Sequence, residues 1–178
     1  MHILAISGSL RAGSSNTAAL AAAALVAPAG TTIETYVGLA TLPAFNPDLD
    51  GDAPPAAVLA LRDTIGRADA LLISSPEYAH GMPGALKNLL DWLVASLAFP
   101  GKPVALINTS PRARHAQAQL VEVLTTMNAK LVPAAPLELP LLGRGCDAAA
   151  IAADPEMSAA LRATLAALAR VRSDPDTA

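Results

Sequence analysis

Three short runs of this chain are apolar at consecutive positions: HILAIS at 2–7, DALLISSP at 69–76 and KPVALINTSP at 102–111. A strand with one face in water alternates apolar and polar residues, whereas a strand covered on both faces does not. Strands of this kind require helices on both sides of the sheet, and the segments between them supply helical composition. TAALAAAALVA follows Asn16 or Thr17 and stops at Pro28 and Gly30, while AAVLALRDTIGRA at 56–68 is opened by Pro54 and Pro55. In PGALKNLLDWLVASL, Leu86, Leu89, Leu90, Leu93 and Leu97 recur at spacings of three and four, which predicts one buried helical face. RHAQAQLVEVLTTMNA at 114–129 predicts a further helix, and DPEMSAALRATLAALARV at 154–171 another, with Asp154 as cap and Pro155 at its first position.

Two weaker strands complete the pattern. TIETYV at 32–37 is β-branched and alternating, and KLVPAAPLEL at 130–139 carries two prolines, which predicts an edge or interrupted strand. Five strands alternating with helices predict one α/β domain with a central parallel sheet over residues 1–170. The closing VRSDPDTA at 171–178 has nothing to bury and is expected to fray.

Composition excludes several classes of function. Hydrophobic residues make up 53% of the 178 and charged residues 15%, which argues against disorder. The net charge of -3 and the lack of a basic block give no support to nucleic-acid binding. No segment reaches the roughly 18 apolar residues of a membrane span, and MHILAISGS lacks the basic start and long apolar core of a signal peptide. The expectation is a cytoplasmic protein. A single cysteine, Cys146, allows no internal disulfide and no zinc cluster, and no metal site is expected.

Against this apolar background, GSLRAGSSNTAAL at 8–20 concentrates hydroxyls and amides between the first strand and its helix. Neither GxGxxG nor GxxxxGK[ST] is present, so the dinucleotide fingerprint and the nucleoside-triphosphatase loop are both excluded. Ser9, Arg11, Ser14, Ser15, Asn16 and Thr17 remain, beside a helix start whose N–H groups favour an anion. Hydroxyls and a guanidinium suit a phosphomonoester without a bound magnesium. Ser15 or Asn16 can also be a simple helix cap.

Ligands of open α/β sheets collect at the carboxyl ends of the strands, so the loop from Ser74 faces the same crevice. There Pro76, Gly81, Pro83 and Gly84 shape the backbone, while Tyr78, His80 and Met82 offer surfaces for a flat ring. Glu77 is either a solvated acid or a partner for a basic group; Lys87 and Asp91 are spaced to pair on one helix face; Trp92 reads as core or interface. In the third loop, Thr109, Ser110 and Pro111 are placed to complete a ring pocket, and Arg112, Arg114 and His115 bring positive potential.

With GSLRAGSSN at 8–16 and SPEYAHGMPGALKNLLDW at 75–92 in this order and spacing, the chain resembles the NADPH-dependent FMN reductase family of flavodoxin-like proteins. That family includes quinone, azo-dye and chromate reductases, and the resemblance runs from His2 to about Ala169. It implies a flavodoxin-like three-layer α/β/α sandwich with a five-stranded parallel sheet in the order 2-1-3-4-5, and a non-covalent FMN. By matching positions, it implies phosphate contacts from Ser9, Arg11, Ser15, Asn16 and Thr17. Pro76, Glu77, Tyr78, His80 and Gly81 would lie at the flavin and its entrance, with Thr109, Ser110 and Pro111 as a third wall. The chain departs from the family's glycine-rich stretch after the corresponding serine, having Arg112, Ala113, Arg114 and His115 instead.

The implied chemistry is a ping-pong relay in which NADPH, or NADH in its place, gives hydride to flavin N5 and a small acceptor such as a free flavin, quinone or azo compound then removes it. No side chain is expected to act as catalytic acid or base. Arg112 and Arg114 are expected to meet the extra ribose phosphate of NADPH. The resemblance also implies a homodimer or homotetramer formed through the helices after the flavin loops, near Leu86, Leu90 and Trp92. The alternatives are a flavodoxin-like electron carrier and a redox-sensing FMN-binding protein.

Overall fold

A computed structural model describes residues 1–132, 136–141 and 147–173, so Cys146 lies outside the described residues. In chain order the elements are β1 (His2–Ser7), α1 (Ser15–Leu25), β2 (Thr32–Thr35), α2 (Ala56–Arg67), β3 (Ala70–Ser74), α3 (Gly84–Leu93), β4 (Pro103–Asn108), α4 (Arg114–Thr126), β5 (Lys130–Leu131), β6 (Leu137–Glu138), α5 (Ala148–Ala153) and α6 (Pro155–Ser173). The strands pair in parallel in the order β2-β1-β3-β4-β5, with β6 also on β4. β5 and β6 occupy the fifth strand position in two pieces, as the prolines at 133 and 136 predict for an interrupted strand.

The consecutive apolar runs are explained by their two faces. Leu4, Ile6, Leu71, Ile73, Val104 and Leu106 point into one core, with α2, α3 and α4 over them. Ile3, Ala5, Ala70, Leu72, Ala105 and Ile107 point into the other, beneath α1, α5 and α6. The architecture is the expected three-layer α/β/α sandwich of flavodoxin-like proteins. The alanines of α1 have little bulk, which lets that helix lie close to both the sheet and α5.

Trp92 is core: its ring is fully buried, and its indole N–H donates to the Pro43 carbonyl at 2.8 Å. Leu97 is a correction, because it is 98% exposed rather than part of the buried face. α3 stops at Leu93, where the Arg62 guanidinium, itself paired with Asp50, takes the Trp92 carbonyl. Val94 and Ser96 then bond to carbonyls only three residues back, tightening the last turn and rotating Leu97 off the stripe. β2 also ends earlier than expected, at Thr35, leaving Val37 exposed beyond the last pairing with β1.

Lys87 and Asp91 pair at 2.6 Å as their spacing predicts. Asp154 caps α6 by accepting from Glu156 and Met157 N–H. That helix continues through Ser173, three residues into the expected tail, and residues 174–178 lie outside the described ones. Among the described residues no helix is long and apolar enough to cross a membrane, and no cluster of His, Cys, Asp and Glu is arranged to hold a metal.

Candidate functional site

The carboxyl ends of β1, β3 and β4 open onto the starts of α1, α3 and α4. At α1, Ser14 stands at the cap position with extended backbone, but its side chain makes no capping bond. The Ser14 carbonyl accepts from Ala18 N–H, whereas the N–H groups of Ser15, Asn16 and Thr17 have no acceptor among the described residues. The first turn of α1 also contains no carboxylate, although the helix dipole favours one there.

Around these donors lies a cleft of about 880 Å³, bordered by Ser9, Arg11, Ser15 and Thr17 on one side and by Pro76 and Tyr78 on another. That volume falls in the range of cofactor pockets. Arg11 is exposed and folds back so that its Nε and Nη2 donate to the Gly13 carbonyl. Ser9 Oγ accepts from Arg11 N–H, and the Thr17 hydroxyl shares a 2.9 Å hydrogen bond with Ser7 Oγ.

Asn16 borders the same cleft, but its side chain is turned inward and the residue is only 4% exposed. Its Oδ1 accepts from Ser74 Oγ at 2.9 Å and from Thr109 Oγ1 at 3.1 Å. One amide oxygen thus ties α1 to the ends of β3 and β4. Thr109 is equally buried and spends its proton on Asn16, so at its 3.3 Å contact with Ser15 it accepts. Gly8 completes the junction: a Cβ there would come within 2.6 Å of Ser75 Oγ, so only glycine lets β1 approach the second loop this closely.

The second loop turns sharply. Tyr78 and Gly81 exchange backbone hydrogen bonds of 2.9 and 3.0 Å, and Ala79 and His80 between them have φ of 50° and 60°. Two positive φ values in a row are those of a type I′ turn. Glu77 forms no ion pair among the described residues, and its Oε2 accepts from Ala116 N–H at 2.9 Å. It therefore caps α4, whose own cap position is occupied by Ala113. This hydrogen bond holds the Glu77 carboxyl below the usual range against opposing desolvation, with His115 and His80 adding to the effect. The His80 and His115 rings stack with centroids 4.4 Å apart.

The residues expected at the site therefore divide. Ser9, Arg11, Ser15, Asn16, Thr17, Pro76 and Tyr78 border the cleft together. Glu77, His80, Gly81, Thr109, Ser110, Pro111, Arg112 and Arg114 do not line it. Sequence reasoning missed Leu141, Asp147 and Ala148, which form the far wall. Asp147 caps α5 by accepting from Ala150 N–H at 2.8 Å, and the signal for it was an aspartate directly before the run AAAIAA. Of the helix starts nearest the crevice, those of α4 and α5 are served by Glu77 and Asp147, whereas α3, like α1, has no side-chain cap and does not border the cleft. The start of α1 is left open to an anion.

The model of the family described as NADPH-dependent FMN reductase matches residues 1–139. The chain belongs to the NADPH-dependent FMN reductase family. Within and beyond it, the chain is 43% identical over 112 residues to an NAD(P)H-dependent FMN reductase of Pseudomonas aeruginosa, a match covering 62% of this chain and 60% of that protein. It is 40% identical over 113 residues to a 2-hydroxy-1,4-benzoquinone reductase of a Burkholderia species, covering 62% and 61%. These matches span about three fifths of the curated relatives. Among solved structures, the flavoenzyme NAD(P)H:(acceptor) oxidoreductase FerB of Paracoccus denitrificans superposes with a TM-score of 0.76 at 28% identity, covering 97% of each chain. The family's cofactor fits the donor set: unpaired N–H groups, hydroxyls and an arginine for a phosphate, beside the apolar Pro76 and Tyr78 for a ring.

Proposed function

We propose that this protein is an FMN-dependent NAD(P)H oxidoreductase that passes reducing equivalents to a small planar acceptor. The observation that carries the reading is the start of α1, where three N–H groups lack acceptors in a cleft bordered by Ser9, Ser15 and Thr17. Those groups and Arg11 hold the FMN phosphate, with Asn16 contributing its backbone N–H rather than its side chain. Pro76 and the turn from Tyr78 to Gly81 orient the ring, and Thr109, Ser110 and Pro111 support it through the backbone they shape. Bound FMN supplies the hydride acceptor and donor chemistry, so the chain's task is to hold, orient and leave one ring face accessible.

Arg112 and Arg114 are exposed at the start of α4 and form no ion pair among the described residues. Two cations at the positive end of a helix dipole, with Glu77 as the carboxylate that caps it, leave a net positive surface there. That placement supports a role in docking the phosphates of NADPH in preference to NADH. Rapid mixing of FMN-loaded protein with each nicotinamide is expected to bleach flavin absorbance faster with NADPH, and an Arg112→Ala, Arg114→Ala double variant should lose about 10-fold or more of that preference. Equal rates with NADH, or a preference that survives the double variant, would remove the arginines from the assignment. No bleaching by either nicotinamide would favour the electron-carrier alternative.

We also propose a homodimer, but not through Leu86, Leu90 and Trp92, which are spent in the core. The exposed Val94 and Leu97 beyond α3 are the apolar surface that a second copy would cover. A monomeric mass in light scattering at micromolar concentration would contradict it.

A further inference from the structure

Ala79 and His80 occupy the left-handed region, which is unfavourable for residues with a Cβ, and such a turn persists only where its surroundings over-determine it. α4 supplies those surroundings. Gln119 Oε1 accepts from Met82 N–H at 2.8 Å, directly after the turn, and Glu77 Oε2 accepts from Ala116 N–H directly before it. The His80 ring lies on His115 of the same helix. A Cβ at position 81 would come within 3.3 Å of Gln119 Oε1, so glycine there lets the amide approach. Tyr78, the first residue of the turn, borders the cleft beside Pro76.

We propose that Gln119, acting with Glu77, is a positioning residue that clamps the Tyr78–Gly81 turn to α4 and so fixes Tyr78 and the turn's backbone against the flavin. This rests on the functional reading above. Neither carboxamide nor carboxylate touches the cleft; both act through the turn. Because Gln119 is exposed on α4, replacing it does not open the core. Its neighbour Gln117 is buried instead, and its side chain has no hydrogen-bond partner among the described residues.

The test compares Gln119→Leu, which removes the acceptor, with Gln119→Glu, which keeps one. In the FMN-free protein, hydrogen exchange at Met82 and Gly81 is expected to quicken about 3- to 10-fold in Gln119→Leu and to stay near wild type in Gln119→Glu. α1 amides should not change in either. With FMN bound, Gln119→Leu should alter the visible circular dichroism of the flavin and raise the KM for the acceptor more than it lowers kcat, with Gln119→Glu again close to wild type. Wild-type protein that binds no FMN would overturn the functional reading and the clamp's role together. Wild type that binds FMN, beside a Gln119→Leu variant unchanged in exchange and dichroism, would overturn the clamp alone.

Discussion

Asn16→Ala is expected to destabilise the flavin-free protein by about 2–3 kcal/mol, because it removes the one acceptor shared by two buried hydroxyls. Ser74 retains the Ile107 carbonyl at 3.0 Å, so its loss is partial. Thr109, only 3% exposed, keeps just the 3.3 Å contact with the Ser15 hydroxyl, and weakening the satisfaction of a buried polar group costs about 1–3 kcal/mol. The truncated side chain adds a small void between α1, β3 and β4. For a domain of this size the melting temperature should fall by about 4–12 °C. An unchanged melting temperature would show that the Ser74 and Thr109 hydroxyls are satisfied without Asn16, and that this residue is free to serve a ligand.

Ser15→Asp is expected to act in opposite directions on fold and ligand. A carboxylate in the first turn of α1, which has none, complements the helix dipole and should raise stability by about 0.3–1 kcal/mol. The same charge would face the FMN phosphate across a few ångströms, where repulsion between unit charges near a protein surface reaches several kcal/mol. A loss of about 100-fold or more in FMN affinity is therefore expected, from a protein that melts no lower than wild type. If FMN bound Ser15→Asp as tightly as wild type in a fluorescence titration, the phosphate would lie elsewhere.

Much of the fold was legible because strand burial leaves a direct trace. Consecutive apolar residues in 2–7, 70–74 and 103–108 are what a doubly covered sheet requires, and all three runs became central strands. The two prolines in 130–139 predicted an interrupted strand, and β5 and β6 are two separate short pieces on β4. The polar turn at 8–17 was also legible as a place. Its division of labour was not: whether Asn16 points to a ligand or inward depends on Ser74 and Thr109, which are 58 and 93 residues away.

Glu77 shows the same limit. From sequence it is either a solvated acid or a partner for a basic group; in the fold it serves a helix that begins 37 residues later and lacks a side-chain cap of its own. Leu97 failed for a related reason, since its helix is ended by Arg62 from α2. Periodicity reads a helix's faces, but it does not see what stops the helix from outside.

We propose that the start of α1 holds the phosphate of FMN. The measurement that addresses it most directly is a pair of titrations of the flavin-free protein, one with FMN and one with riboflavin, which differ only in that phosphate. Charge-assisted hydrogen bonds from the free N–H groups and Arg11 should make FMN bind at least about 100-fold more tightly, since two such bonds alone are worth about 3 kcal/mol or more. Equal affinity for the two flavins would show that the start of α1 does not hold the phosphate.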